Sequence, residues 1–198
     1  MSSLFDFDAV PDLYAVMGNP IAHSKSPQIH PQFAAQVGAT IAYGAIEVAP
    51  ENLAEALKDL LKAGYKGLNV TLPHKAAVAA LCTAVSERAQ MAGAVNTLNP
   101  HGEGWHGDNT DGEGLIHDLR TLGVNLADKR VLVLGAGGAA RGILQPLLEA
   151  KPAELTLSNR NPWKPEELAE KFKPVGKIRP ATHIALKGDL FDVIINAT

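Results

Sequence analysis

Residues 131–140, Val-Leu-Val-Leu-Gly-Ala-Gly-Gly-Ala-Ala, join a short apolar run directly to a glycine-rich turn. The apolar run predicts a buried strand, and the small residues after it predict a tight turn into a helix. Glycine at 135 permits the turn, glycine at 137 lets a pyrophosphate approach the backbone, and Ala140 allows close helix packing. The predicted pyrophosphate-binding residues, at the N–H donors of a helix N-terminus, are Gly135, Ala136, Gly137, Gly138 and Ala139. The alternative is a glycine turn that only packs closely.

The next predicted strand, Leu155–Ser158, ends in Asn159-Arg160-Asn161 and carries no acidic residue at its end. An acid at this place binds the adenosine ribose of NAD and would repel a 2′-phosphate. Arg160 is suited to bind that phosphate with paired hydrogen bonds, and Lys164 adds a point charge. We therefore predict NADP rather than NAD, with Asn159, Arg160, Asn161 and Lys164 at the ribose end. A solvated turn without a ligand is the alternative.

Outward from this unit, short apolar runs alternate with amphipathic stretches, which is the pattern of a sheet covered by helices. Strands are predicted at 13–17, 41–47, 67–70, 94–98, 131–134, 155–158 and 191–195, with a turn at 99–100 and a hairpin at 101–107. Helices are predicted from an N-cap at Ser26, after Pro50, as two short helices within 75–92, near 115–122, at about 139–149 and after Pro165.

This order of elements predicts an α/β protein with two domains. Residues 1–110 would form an N-terminal open α/β substrate domain, and residues 111–198 a Rossmann-type (doubly wound) nucleotide-binding domain. Because no helix follows the last predicted strand, we expect that second domain to be partial, cut short at its C-terminus.

Charge and cysteine content narrow the class of protein. The 198 residues carry 18 basic and 21 acidic side chains, a net charge of −3, which favours neither nucleic acid nor an anionic membrane as a partner. No apolar run reaches the roughly 20 residues of a spanning helix. Cys82 is the single cysteine and the seven histidines lack ligand spacing, so no disulfide and no metal are predicted. We expect a cytoplasmic monomer or homodimer that binds a small molecule.

Polar clusters follow the predicted strands of the first domain, where open α/β sheets place their ligands. Their hydroxyl, amide, carboxylate and ammonium groups suit a small polyhydroxylated acid. The clusters are Ser24-Lys25-Ser26-Pro27, Asn69-Val70-Thr71-Leu72-Pro73-His74-Lys75, Asn96-Thr97 and, at the domain boundary, Asp108-Asn109-Thr110-Asp111.

In order along the chain, the segments G-N-P-I-A-H-S-K-S-P, N-V-T-L-P-H-K, A-V-N-T, D-N-T-D-G, G-A-G-G-A-A and I-I-N-A-T closely resemble shikimate dehydrogenase, from Gly18 to Thr198. The resemblance implies NADPH-dependent reduction of 3-dehydroshikimate to shikimate, in aromatic amino-acid biosynthesis. It also implies site residues: Ser24 and Ser26 on the substrate carboxylate, Thr71, Asn96 and Asp111 on the ring hydroxyls, and Lys75 as the catalytic residue. Glu87 lies in a segment that approaches the cofactor in similar proteins, although a salt bridge on a helix surface explains it equally well.

The chemistry of the reaction agrees with the role implied for Lys75. Reduction of a ketone builds negative charge on oxygen, and a cation that hydrogen-bonds that oxygen and gives up a proton stabilises the transition state. Desolvation would lower the pKa of this lysine and Asp111 would raise it, so we treat Lys75 and Asp111 as a coupled pair. The alternative is a surface lysine at a helix start, which is an unfavourable place for a cation. For Ser24 and Ser26 the alternative is helix capping, and for Thr71 and Asn96 it is a role in turns.

Departures from the family pattern concern the ribose end and the C-terminus. Asn161 stands where the family has threonine and Lys164 where it commonly has arginine, so we expect weaker 2′-phosphate binding and relaxed selectivity. Family members also continue past Asn-Ala-Thr, so we expect a truncated portion with little turnover by itself. An NAD-using quinate/shikimate dehydrogenase, which Arg160 opposes, and a non-catalytic small-acid-binding module remain as alternatives.

Overall fold

Residues 10–198 are described by a computed structural model, in which the chain divides into two units. The first unit comprises residues up to Ala84 together with Asn96–Gly107, and the second comprises Val85–Val95 together with Asp108–Thr198. Both units are α/β, as predicted. The predicted domain boundary at residues 110 and 111 stays a prediction.

The sheet of the first unit runs in the order β2-β1-β3-β5-β6-β4. Its parallel strands β1, β2 and β3 pair side by side, and β5 pairs antiparallel with β3. The strands are β1 (Asp12–Gly18), β2 (Ile41–Glu47), β3 (Gly67–Val70), β4 (Ala84–Val85), β5 (Thr97–His101) and β6 (Gly104–Asp108). The helices of this unit are α1 (Ser26–Gln36) and α2 (Leu53–Lys62), with a 3-10 turn at Pro50–Asn52 and another at Val78–Leu81.

Helix α2 forms where the sequence predicted it, because Leu53 and Leu57 recur at helical spacing and are both buried. Glu55 in its first turn and Lys62 in its last turn complement the helix dipole. The indole Nε1 of buried Trp105 donates to the carbonyl of Leu57 at 2.9 Å. This hydrogen bond ties α2 to the β5–β6 hairpin.

The second unit contains a parallel sheet in the order β10-β7-β8-β9. In sequence order within the unit this is 4-1-2-3, which corresponds to the first half of a doubly wound nucleotide-binding fold together with the first strand of the second half. Its elements are α3 (Glu87–Ala92), α4 (Asp111–Thr121), β7 (Arg130–Leu134), α5 (Gly138–Glu149), β8 (Glu154–Ser158), α6 (Trp163–Lys171), β9 (Ile178–Ala181), a 3-10 turn at Ile184–Leu186 and β10 (Val193–Asn196). Val133, Leu144, Leu157 and Phe172 are fully buried in its core.

Several predictions of secondary structure are wrong. The segment 75–92 holds one 3-10 turn, the short strand β4 and α3, where two helices were predicted. The strand predicted at 94–98 begins only at Thr97, and it runs through Asn99-Pro100, so the chain reverses after His101, at Gly102, whose φ is +59°. Strand β9 was not predicted, because Arg179 and Pro180 interrupt its apolar pattern. Pro180 is accommodated because β9 is an edge strand.

Candidate functional site

The polar cluster that follows β3 lies against the end of β1 and the segment that leads from it to the cluster at Ser24. The backbone N–H of Thr71 donates to the carbonyl of Met17 at 2.9 Å, and the N–H of Asn19 donates to the carbonyl of Leu72 at 3.0 Å. A Cβ on Gly18 would lie 2.6 Å from Cγ2 of Thr71 and 2.9 Å from the Leu72 carbonyl oxygen. Only glycine at 18 therefore lets these two segments lie so close together.

Tyr43 connects the start of α1 to β3. Its hydroxyl donates to Oδ1 of Asn69 at 2.6 Å, and it also forms a hydrogen bond with Ser26. Burial raises the pKa of Tyr43 to about 12, although the hydrogen bond with Ser26 acts in the opposite direction. His30 stacks on the Tyr43 ring with centroids 4.1 Å apart and binds the Ser26 carbonyl through Nδ1 at 3.0 Å. Sequence reasoning missed Tyr43, because an aromatic residue in a strand is typical of any core.

The hydroxyl of Ser26 does not cap a helix, contrary to the alternative given for it. Lys25 is the N-cap residue, α1 begins at Ser26, and no side chain caps it. Ser24 Oγ accepts a weak hydrogen bond of 3.3 Å from the Ser26 N–H. The two serines are therefore adjacent at the start of α1, and both side chains are partly exposed.

Lys75 lies in a turn after β3 and not at the start of a helix, so the alternative of a helix-start lysine is wrong. The preceding residue, His74, is 1% exposed and its Nε2 lies 2.8 Å from the carbonyl of Val48. Because a carbonyl only accepts, Nε2 of His74 carries a proton. The His74 N–H donates to the Thr71 carbonyl at 3.0 Å, and the His74 carbonyl accepts from Val78 at 2.9 Å. These bonds fix the backbone that carries Lys75.

Asn96 lies beside the end of β3. Its carbonyl accepts from the N–H of Val70 at 2.8 Å, and its Oδ1 accepts from the hydroxyl of Thr97 at 2.8 Å. The side chain of Asn96 is nearly buried, with 8% of the residue exposed. The first unit thus brings together the segments that carry Ser26, Thr71 and Asn96.

Asp111 belongs to the second unit, where it is the first residue of α4. Asn109 arranges this turn: its Oδ1 accepts from the Asp111 N–H at 3.1 Å and its Nδ2 donates to the Ala94 carbonyl at 3.0 Å. A Cβ on Gly142 of α5 would lie 2.9 Å from Asn109 Oδ1 and 3.2 Å from Asp111 Cβ. The absence of a side chain at 142 lets the Asp111 turn pack directly on α5.

An ion pair that sequence reasoning missed supports the same turn. Arg88 of α3 donates through Nε to Oδ1 of Asp108 at 2.8 Å and through Nη2 to its Oδ2. Asp108 also accepts from the hydroxyl of Ser86 and from the backbone N–H of Asn109. The Arg88 guanidinium, with these two further donors, holds the pKa of Asp108 well below its usual range. Glu87, next to Arg88, is exposed, and its predicted approach to the cofactor stays a prediction.

The glycine turn between β7 and α5 has the shape that a pyrophosphate requires. Gly135 is buried at φ +106°, and a Cβ there would lie 2.5 Å from the Ala197 carbonyl oxygen. Gly137, by contrast, is extended and exposed, and a Cβ on either Gly137 or Gly138 would meet no other atom within 4 Å. No side chain caps α5, so the N–H groups of its first turn, at Gly138 and Ala139, are left for a ligand. These residues fit the pyrophosphate of a dinucleotide.

The predicted ribose segment lies at the adjacent strand end, after β8. The N–H of Asn159 donates to the carbonyl of Ala181 at 3.2 Å, which joins the ends of β8 and β9. Asn161 Oδ1 accepts from the N–H of Trp163 at 3.1 Å and shapes the start of α6. Arg160 and Lys164 are exposed. Because β7 and β8 are parallel neighbours, the glycine turn and this segment share one sheet edge.

Lys75 and Asp111 belong to different units, and their predicted coupling stays a prediction. Between residues 10 and 198, no group of three or more His, Cys, Asp or Glu side chains is placed to hold a metal ion. Over the same residues, no helix has both the length and the apolar character to cross a membrane.

The chain matches known proteins over nearly its whole length. Residues 16–98 match the shikimate dehydrogenase substrate binding domain, and residues 118–198 match the shikimate / quinate 5-dehydrogenase family. The shikimate dehydrogenase (NADP(+)) of Nitrosospira multiformis is 48% identical over 94% of this chain and 68% of its own length.

Solved structures show the same relationship. An Ael1 enzyme from Pseudomonas putida is 41% identical with a TM-score of 0.89, over 94% of this chain and 69% of that one. Shikimate 5-dehydrogenase from Thermus thermophilus, solved in complex with NADP(H) and shikimate, is 36% identical with a TM-score of 0.84, over 94% of this chain and 68% of that one.

A Rossmann-type sheet with an open glycine turn, joined to a second α/β unit with polar strand ends, defines a nucleotide-binding protein of the two-domain α/β class. Within that class, the identity to curated relatives decides the family. The chain belongs to the shikimate dehydrogenase family.

Proposed function

We propose that this chain carries the substrate-binding, proton-donating and NADP-binding residues of an NADP-dependent shikimate dehydrogenase, which catalyses the reversible reduction of 3-dehydroshikimate to shikimate. The observation that carries the proposal is the 48% identity to a shikimate dehydrogenase (NADP(+)) over 94% of the chain. The open glycine turn and the polar strand ends of the first unit support it from the geometry.

The second unit supplies the groups that would hold NADP. The N–H groups at the start of α5 would bind the pyrophosphate, with Gly137 giving it access, and Arg160 and Lys164 would bind the 2′-phosphate. Bound NADPH supplies the hydride of the reaction. The absence of an acidic residue after β8 favours NADP over NAD.

The first unit would bind the substrate and supply the proton. Ser24 and Ser26 would hold the substrate carboxylate, and Thr71 and Asn96 would bind ring hydroxyls, together with Asp111 of the second unit. The hydroxyl of Ser26 makes no helix-cap hydrogen bond, which is consistent with a role in binding.

Lys75 would hydrogen-bond the substrate oxygen on which charge develops and donate its proton to it, with Asp111 as the partner of the ammonium group. The buried His74 anchor keeps the backbone of this turn in place, which reduces the reorganisation that the reaction requires. The role of Lys75 therefore rests on a fixed turn and on the chemistry of its ammonium group.

The test measures shikimate-dependent reduction of NADP and of NAD by the wild type and by Lys75→Ala. Lys62→Ala is the matched control, because Lys62 is an exposed lysine whose side chain is 77% accessible. We expect at least a hundredfold loss of kcat for Lys75→Ala, with nucleotide binding unchanged, and no loss for Lys62→Ala. Equal activity of the Lys75 variant would refute the assignment. A preference for NAD would favour the quinate/shikimate alternative, and substrate binding without turnover would favour the binding module.

We also propose a cytoplasmic monomer or homodimer with no nucleic-acid partner; the net charge of −3 supports only the absence of a nucleic-acid partner. Light scattering coupled to size exclusion gives the oligomeric state directly. A larger assembly, or retention on a DNA column at physiological salt, would contradict this.

A further inference from the structure

A partly buried hydrogen bond lies beside the nucleotide edge of the second unit, and it has no role in the function proposed above. Ser158, the last residue of β8, is fully buried, and its Oγ lies 2.9 Å from Nδ1 of His183. The carbonyl of the same serine accepts the N–H of Gly135, the first glycine of the turn, at 2.8 Å. Ser158 therefore contacts both the glycine turn and His183.

The segment that carries His183 is held at both ends. On one side the Thr182 hydroxyl accepts the N–H of Ala185 at 3.3 Å, next to the bond between Ser158 and His183. On the other side, Asp189 accepts a hydrogen bond from Nη2 of Arg179, whose Nε donates to the buried hydroxyl of Thr156 at 3.1 Å. His183 is thus presented by an anchored segment, and the nearby acid Asp189 is already paired with Arg179.

His183 lies just after β9, next to the segment 159–161 that is predicted to bind the adenosine ribose. The hydrogen bond between the Asn159 N–H and the Ala181 carbonyl joins the strand ends of β8 and β9. Arg160 follows the first of these residues, and His183 lies two residues after the second. A group bound by Arg160 at this edge would therefore meet the segment that presents His183.

Only one of the two ring nitrogens of His183 forms a hydrogen bond among the described residues. Within residues 10–198, Nδ1 bonds Ser158 and Nε2 has no hydrogen-bond partner, and the residue as a whole is exposed. When the Ser158 hydroxyl donates to Nδ1, Nε2 carries the ring proton and is a donor; in the protonated ring, both nitrogens are donors. Both of these forms offer N–H to an anion, whereas the tautomer in which Nδ1 donates to Ser158 makes Nε2 an acceptor.

We propose that Nε2 of His183 donates a hydrogen bond to the 2′-phosphate of NADP, and so contributes to the preference for NADP over NAD. This rests on the proposed function, since it assumes that the edge binds NADP. His183 offsets the weaker phosphate binding expected from Lys164, which lacks the bidentate fork of an arginine.

The test uses fragments that need only the adenosine end: adenosine 2′,5′-bisphosphate, and adenosine 5′-monophosphate as the probe without the 2′-phosphate. Calorimetry on the full chain gives both affinities. We expect His183→Ala to bind the bisphosphate about tenfold more weakly and the monophosphate as tightly as the wild type does, because one charge-assisted hydrogen bond is lost. His117→Ala, an exposed histidine of α4 in the same unit, is the matched control and leaves both affinities unchanged.

Two conservative variants separate contact from positioning. His183→Asn places an amide near the Nδ1 position and keeps the bond to Ser158, whereas His183→Gln reaches the Nε2 position. If Nε2 contacts the phosphate, the Gln variant retains more bisphosphate affinity than the Asn variant. If Asn restores the affinity, the residue acts only by holding Ser158 and the proposal is overturned.

A direct readout is the ring resonance of His183, which we expect to shift on addition of the bisphosphate and to stay in place with the monophosphate. If the wild type prefers the bisphosphate but the His183→Ala variant keeps that preference, this proposal fails while the proposed function stands. If the wild type has no preference for the bisphosphate, both fail.

Discussion

Removing the Arg88 guanidinium should destabilise the turn that carries Asp111. Arg88→Ala deletes both hydrogen bonds to the Asp108 carboxylate, through Nε at 2.8 Å and through Nη2. Asp108 keeps only its bonds from Ser86 and from the Asn109 N–H. A carboxylate whose side chain is 17% exposed is then left without a cationic partner.

The loss of stability expected for Arg88→Ala depends on how exposed the Arg88 and Asp108 side chains are. A hydrogen bond to a charged group contributes about 1.5–3 kcal/mol when shielded, and an exposed ion pair contributes about 0–1 kcal/mol. The Arg88 side chain is 37% exposed, so solvent screening reduces the upper figure. We expect Arg88→Ala to lower the free energy of unfolding by about 2 kcal/mol, and Tm by about 4–8 °C for a chain of this size.

The effect should depend on pH with a defined sign. The pKa of Asp108 is lowered in the folded state, so the pair stabilises the fold fully above the unfolded-state pKa of about 4. That contribution is lost as the pH falls through the folded-state pKa. The difference in stability between wild type and Arg88→Ala should therefore be constant from about pH 5 to 8 and shrink below about pH 4.

Urea unfolding followed by circular dichroism measures the difference, and hydrogen exchange locates it. Exchange should accelerate at residues 86–95 and 108–111 and stay unchanged in β8. Lys173→Ala is the matched control, because its pair with Glu170 is about three-quarters exposed and should contribute less than about 0.5 kcal/mol. A Tm within 1 °C of the wild type for Arg88→Ala would show that solvent already screens the pair, and a difference in stability that does not decrease at all below about pH 4 would show that it does not come from the Asp108 carboxylate.

Tyr43→Phe should cost about 1–2 kcal/mol by leaving Asn69 without its 2.6 Å donor, and absorbance at alkaline pH should lose the tyrosine that titrates near 12. Because that pKa is raised, its contribution to stability is complete below about pH 10 and lost as the pH rises through about 12, so a tyrosine titrating normally would contradict the burial argument. Gly135→Ala should lower Tm by several degrees, because its Cβ would lie 2.5 Å from the Ala197 carbonyl oxygen at φ +106°. Gly137→Ala should leave Tm unchanged, because a Cβ at 137 would contact no protein atom. The same Cβ would occupy the space proposed for the pyrophosphate, so we expect calorimetry to show NADP binding at least tenfold weaker. Unchanged affinity would mean that the pyrophosphate does not approach the backbone at this residue.

Patterns in the sequence predicted the fold wherever periodicity and backbone chemistry coincide. The apolar run of β7 ends in a glycine turn, and this combination predicts a strand followed by a helix. The leucines of α2 recur at helical spacing and predict a helix. Strand β9 could not be predicted in this way. Its Arg179 forms ion pairs with Glu154 and Asp189, and residues that pair across the fold leave no periodic pattern in the sequence. The wrongly predicted turn has a similar cause: Asn99-Pro100 is a turn signal locally, but pairing of β5 with β6 overrides it.

The candidate site divides in the same way. Residues that act through the backbone, such as the glycines of the turn, follow from local sequence. Residues that act through distant partners do not: Tyr43 reaches Asn69 across 26 positions, Arg88 reaches Asp108 across 20, and His183 reaches Ser158 across 25. The two residues of each pair come together only in the tertiary fold, so the local sequence around one residue does not predict its partner.

The packing at Gly142 has a consequence for how Asp111 would serve the reaction. Gly142 lies on α5 four residues after Gly138, and the Asp111 turn rests directly on it. The helix whose N-terminus would bind the pyrophosphate is thus the helix against which Asp111 is positioned. A side chain at 142 would have to displace either Asn109 or Asp111, while the glycine turn at the start of the helix kept its shape. Asp111 is therefore built as part of the nucleotide unit, and its contact with substrate would be set by α5 and by the Arg88 ion pair rather than by the segments that carry Ser26 and Thr71.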